Sequence, residues 1–337
     1  MASTWSKVLE EFTAETRIPG PKAAWARVFA RKVDAVATLT GRPLVVYGTA
    51  CTSSGKPVSA EQLQIDPSDK IGFHDVIERL SGPNLDVILH SPGGFVEAAE
   101  SIVEEIRRKF GHVRFIVPSY AKSAATMMAM AGDEILLDQD GELGPIDPQM
   151  YTQNGVAPAE AIKEQFLKAS KEILADPNKL SLWIPILQPM GPALLVQCEH
   201  AIELGKRLVT EWLTRFMFKG VADGPARAKA VADYLATHGN FYSHARQVKI
   251  EHLAPFGLSL INLRTMAPLF AVVWEVYCTM DIIFANTPIY KLFYNSMHDA
   301  MVRQLPQQQI VLPGFPFQIP GQAPALAPPA APAPPSL

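Results

Sequence analysis

The 337 residues carry 30 Lys and Arg against 33 Asp and Glu, and the formal charge of −3 gives no electrostatic footprint for nucleic acid or an anionic membrane. The length allows two domains, or one large one with an added helical part. Cys51, Cys198 and Cys278 are odd in number and far apart, which argues against a disulfide framework or a zinc site and fits a reducing cytoplasm.

The opening MASTWSKVLEEF mixes charge into its first turns and lacks the apolar run of a secretory signal. Residues 5–42 have helical spacing, broken at Pro19 and Pro21. PLVVYGTA (43–50) has the β-branched, apolar character of a buried strand. KIGFHDVIERL (70–80) predicts a short amphipathic helix and LDVILH (85–90) a second buried strand. After SPGG, the residues Val96, Ala99, Ile102, Val103, Ile106 and Phe110 recur at three- and four-residue intervals, predicting a helix with one buried face and a solvated basic end at 107–109. VRFIVP (113–118) predicts a strand, SAATMMAMAG (123–132) a helix apolar on nearly every side, and EILLD (134–138) another strand.

Strands alternating with helices predict an α/β core with mostly parallel strands, covered on both faces. The predicted organisation is an N-terminal helical segment (1–42), an αβ core (43–150), a helical layer (151–303), and a Pro/Ala-rich tail (304–337) without the apolar content to fold. The most apolar stretch, 266–285, contains Glu275 and Asp281 and is read as a buried helix, so no integral membrane segment is expected.

Chemistry enters at two turns. Gly93 and Gly94 end a parallel strand, where backbone N–H groups can face the ligand crevice of an α/β sheet. Ser123 opens the apolar helix beside the N–H groups of Ala124 and Ala125, a setting suited to an oxyanion. A tight turn with no ligand and a serine that merely caps its helix explain the same residues. Together, though, one hydroxyl and two sets of donors on adjacent strand ends make the constellation that acyl transfer needs.

ILHSPGGFVEAAESIVEEIR, AKSAATMMAMAGDEILL and LGPIDPQM resemble the serine dehydrogenase proteinase family, a branch of the Clp protease and crotonase-like superfamily related to signal peptide peptidase A. The resemblance is strongest over residues 65–150, with fainter echoes at 244–260 and 286–295. It implies a spiral αβ core with additional C-terminal helices, and peptide hydrolysis without cofactor or metal. It also implies a nucleophile at Ser123, oxyanion donors from Gly93, Gly94 and Ala124, and homo-oligomers acting on peptide or protein substrates.

The base is left open by the sequence. Relatives with Ser–Lys dyads place the lysine some tens of residues after the serine, which suggests Lys163; a solvated surface lysine is the plainer account of it. His238 and His244 are rivals, as in Clp-type enzymes, and Lys122 in the string SYAK is discounted because that string precedes its helix instead of opening it. Asp147 is read as a turn former, and His90 and His74 as core or turn residues. The alternatives to a peptidase are an inactive oligomeric scaffold whose tail docks a partner, and crotonase-type acyl-CoA chemistry. The expected location is cytoplasmic, with membrane association only through partners.

Overall fold

The computed structural model describes residues 3–20, 22–153 and 155–306, so the expectation for the tail lies almost wholly outside the described residues. In chain order the helices are α1 (Trp5–Thr16), α2 (Ala24–Thr40), α3 (Ala60–Leu63), α4 (Asp69–Glu78), α5 (Val96–Lys109) and α6 (Ala124–Met130). They continue with α7 (Ala159–Ala175), α8 (Leu180–Leu187), α9 (Leu194–Arg215), α10 (Gly224–Ala236), α11 (Ile250–Leu253) and α12 (Ala267–Asn286). The strands are β1 (Leu44–Thr49), β2 (Asn84–His90), β3 (His112–Val117), β4 (Tyr120–Ala121), β5 (Glu134–Leu137) and β6 (Glu142–Leu143). β7 (Gln149–Thr152) and β8 (Gly155–Pro158) form a hairpin, and β9 (Leu260–Asn262), β10 (Ile289–Asn295) and β11 (Ala300–Gln304) follow.

Seven strands form one sheet in the order β11-β10-β1-β2-β3-β5-β9. From β1 to β9 the pairings are parallel, while β10 and β11 run antiparallel at one edge. The strands read as continuous apolar runs because both faces are covered. Val45, Tyr47, Val87, Leu89, Phe115 and Val117 face a core shared with α4, α5, α6, α9 and α10. Leu44, Val46, Ile88, Ile116 and Leu136 face the opposite core, filled by α2 and α12. All seven residues of α6 are buried, which is why that helix tolerates no polar face.

Two expectations need correction. The segment read as helical returns three strands to the sheet, β9, β10 and β11. β9 has three residues, and β10 is buried on both faces with Lys291 inside it, so neither shows the alternation that marks a half-buried strand. Arg107, expected at a solvated helix end, has a side chain only 6% exposed: it pairs with Asp133 at 2.7 Å and lies 3.7 Å over the Phe216 ring.

α12 is long and apolar enough to cross a membrane by length and composition. It nonetheless buries nine side chains, and its two acids are partnered: Glu275 pairs with Lys32 at 3.0 Å and Asp281 accepts from the Trp5 indole at 2.9 Å.

Candidate active site

At the carboxyl ends of β2 and β3 the two turns meet. Ser91 N–H donates to Tyr120 O at 2.9 Å and Lys122 N–H to Ser91 O at 3.0 Å, tying the SPGG turn to the approach to α6. β4 pairs with β6, and Leu143 with Val248, so a short second layer of strand pairs continues over this end.

Ser123 has φ 51° and ψ −122°, a region that residues with a side chain avoid. Its side chain does not cap α6, and no hydrogen bond to its hydroxyl is formed among the described residues. The cap explanation is thereby removed. Gly93, at φ 92°, packs flat against it: a Cβ there would fall 2.5 Å from Lys122 O, 2.7 Å from Ser123 Cβ and 2.9 Å from Ala124 N. Only a glycine permits that approach.

The donors sort by partner. Gly93 N–H is engaged with Ser91 Oγ at 3.2 Å. Ala125 N–H turns back to Lys122 O at 2.8 Å, leaving Ala124 N–H as the open donor at the helix start. Ile65 bridges Gly94 in a parallel pairing, with Ile65 N–H on Gly93 O at 2.7 Å and Phe95 N–H on Ile65 O at 2.9 Å. In a planar trans peptide the N–H opposes the C=O, so Gly94 N–H points away from Ile65. α6 has only seven residues, so these count as individual donors more than as a helix dipole.

Of the candidate bases, Lys163 on α7 is about one-third exposed and pairs with Glu199 on α9 at 3.4 Å; among the described residues no contact joins Ser123 to Lys163, His238 or His244. Lys122 is buried. Its Nζ binds Glu142 at 2.7 Å, Leu143 O at 3.0 Å and Arg246 O at 3.4 Å, and burial lowers its pKa against the opposing pull of Glu142. His238 Nδ1 lies 3.0 Å from Asp147 Oδ2, and His244 Nδ1 2.7 Å from Asp147 Oδ1. Asp147 is buried and so does more than form a turn: one carboxylate orients two rings. The sequence had given no reason to join these three residues, which are up to 97 positions apart.

Also unforeseen was the buried cluster of Tyr47, Asp69 and Lys291, in which Tyr47 O–H and Lys291 Nζ both donate to Asp69; the available signal was a lone lysine inside the apolar run IYKLFY. His90 is a core ring, as expected. Burial lowers its pKa to about 4, its Nε2 is 3.1 Å from Thr52 Oγ1, and it meets Tyr120 and Tyr277 edge-on. His74, by contrast, is exposed and pairs with Glu105 at 2.6 Å.

Residues 55–183 match the ClpP-like SDH-type serine proteinase family. The match includes both turns, α6 and the GPIDPQ segment. The chain is 42% identical over 101 residues to the uncharacterized protein MJ0137 of Methanocaldococcus jannaschii, covering 29% of this chain and 35% of that one. It is 34% identical over 89 residues to MJ1495 of the same organism, covering 26% and 29%. The chain thus spans about a third of the length of the curated relatives it matches. Among solved structures, an alanine mutant of the 1510-N membrane-bound stomatin-specific protease aligns with a TM-score of 0.39 at 15% identity, over 61% of this chain and 79% of that one. A mutant of ClpP1 from Listeria monocytogenes aligns with a TM-score of 0.33 at 12% identity, over 71% and 98%.

Proposed function

We propose that the chain is a serine peptidase with Ser123 as nucleophile. The observation that carries this reading is Ser123 itself, held at φ 51°, not capping its helix, with Gly93 packed against it. A backbone strained at a serine on a strand-to-helix turn presents the hydroxyl to a substrate instead of to the helix.

In this reading Ser123 Oγ attacks the peptide carbonyl and its proton passes to a base. The tetrahedral oxygen accepts from the N–H groups of Ala124 and Gly94, and Gly93 shapes the floor beneath. Collapse transfers the base's proton to the leaving amine, and water then hydrolyses the acyl-enzyme with the same base. No step calls on a metal or cofactor.

For the base we favour a histidine held by Asp147, because a carboxylate on Nδ1 fixes the tautomer and leaves Nε2 to take the serine proton. Lys163, the sequence-based candidate, stands in an ion pair on the α7–α9 layer, unlike the dry pocket that frees a lysine to act as base. The test is intact-mass spectrometry after incubation with a fluorophosphonate probe, whose phosphorus takes the serine oxygen and releases fluoride. A single adduct on wild type, absent from Ser123→Ala and slowed at least about tenfold in Asp147→Asn, supports the reading. Slowing in Lys163→Met but not in Asp147→Asn would restore the Ser–Lys dyad, and no adduct on folded wild type would favour an inactive scaffold.

A homo-oligomer belongs to the same reading. α8 buries none of its residues, and Leu182, at 69% exposure, stands with Leu180, Ile184 and Ile186 on a helix apolar on all sides. Such a patch marks an interaction surface. Leu182→Glu with Ile186→Glu should lower the sedimentation coefficient if a second copy covers it, and an unchanged value would remove this support.

A further inference from the structure

We infer that Lys122, the residue before Ser123, is a positioning residue: its buried ammonium ties the nucleophile's turn to the two segments that carry Asp147 and His244. The inference rests on Ser123 as nucleophile and on a base held by Asp147, and deepens that reading by naming what fixes one relative to the other.

Lys122 is 3% exposed. Its Nζ meets Glu142 Oε2 at 2.7 Å and donates to Leu143 O at 3.0 Å and Arg246 O at 3.4 Å. An ammonium has three N–H donors. Its charge is matched by Glu142 and every donor is spent on an acceptor other than Ser123, which makes this side chain a clamp and not the base. The two carbonyls it holds lie on segments that face each other, where Leu143 and Val248 exchange N–H to O bonds of 3.1 and 2.9 Å. That pairing closes without a lysine, so what Lys122 adds is the tie from the pair to the turn of Ser123. Only Gly144, Pro145 and Ile146 separate Leu143 from Asp147, and only Ala245 separates Arg246 from His244. His244 Nδ1 meets Asp147 Oδ1 at 2.7 Å, which completes a ring that begins and ends at Lys122.

A second tie leaves the other side of the same turn. Thr126, on α6 and completely buried, donates its hydroxyl to Ala121 O at 2.7 Å and accepts from Gly144 N–H at 2.9 Å. Ile146 N–H is held in turn by Leu235 O at 2.9 Å. A Cβ on Gly144 would fall 2.7 Å from Lys122 Cδ, so the lysine stem and the peptide leading to Asp147 lie in direct contact. Ser123 is thereby flanked by two buried side chains that fasten that same peptide, and with little water near them these bonds hold their geometry firmly.

Lys122→Met keeps the stem and removes the ammonium, and Glu142, with its side chain 30% exposed, is left to solvent. Wild type, Lys122→Met, Asp147→Asn and the double variant would be labelled with the fluorophosphonate probe and resolved into inactivation rate and probe affinity. The expected result is a fall of at least about tenfold in rate for Lys122→Met with affinity unchanged, since misplaced reacting groups cost rate. In the Asp147→Asn background the same change should cost nothing further, because a clamp that acts through Asp147 has then lost its object. A wild-type rate in folded Lys122→Met, or losses that multiply, would overturn the proposal. So would a loss in Lys122→Met with none in Asp147→Asn, which would make the lysine itself the base. Should Lys122→Met fail to fold, Thr126→Val answers the same question, with slower labelling expected and a wild-type rate decisive against. Amide hydrogen exchange decides independently of Ser123 chemistry: faster exchange at Val248 in Lys122→Met supports the tie, and unchanged protection there sinks it. Absence of any adduct on wild type would instead fault the nucleophile.

Discussion

A Cβ added to Gly93 would stand 2.7 Å from the Cβ of Ser123, closer than any two such carbons pack. Gly93→Ala therefore has to displace the serine, and its φ of 92° adds strain of its own. We expect folding stability to fall by about 1–2 kcal/mol and fluorophosphonate labelling to disappear from the protein that remains folded. Labelling at the wild-type rate would mean that this contact does not place Ser123.

Ser123→Gly and Ser123→Ala both delete the hydroxyl, yet only glycine is at ease at φ 51°. The glycine variant should be more stable than the alanine variant by about 1 kcal/mol, read from urea midpoints at equal slope. Equal midpoints would show that the backbone there is unstrained.

His90 makes folding sensitive to acid. Burial lowers its pKa from 6.5 to about 4, so between those values the unfolded chain binds the proton and the native chain does not. Stability is then full above pH 6.5 and is lost as pH falls toward 4, by about 3 kcal/mol for this group alone. His90→Gln should flatten that part of the stability curve measured by urea unfolding; an unaltered slope would show that another group carries it.

Cys51 lies beside His90 but is no activated thiol. Burial is the main cause that raises its pKa to about 11, so at pH 8 only about one molecule in a thousand holds a thiolate. Iodoacetamide should alkylate Cys51 slowly in the native protein and readily in urea, followed by peptide mass mapping. Rapid native alkylation would contradict this environment.

Much of the core was legible because its signals are local. LDVILH, VRFIVP and EILLD are apolar runs of strand length, and the three- and four-residue recurrence in FVEAAESIVEEIRRKF gives one buried face wherever α5 packs. β9 and β10 escaped detection because one is too short for a pattern and the other, inserted against β1, is buried on both faces, so neither alternates.

The sequence by itself determined that two glycines follow one strand and a serine follows the next, and with that the α/β class and the chemistry worth testing. Which N–H groups stay open, and which base candidates stand together, were decided only by the tertiary structure. Gly94 N–H is aimed by Ile65, Asp147 joins His238 to His244, and Lys291 reaches Asp69 from 222 positions away. Hydrogen bonds of that range depend on how strands and helices stack, and no spacing along one chain encodes them.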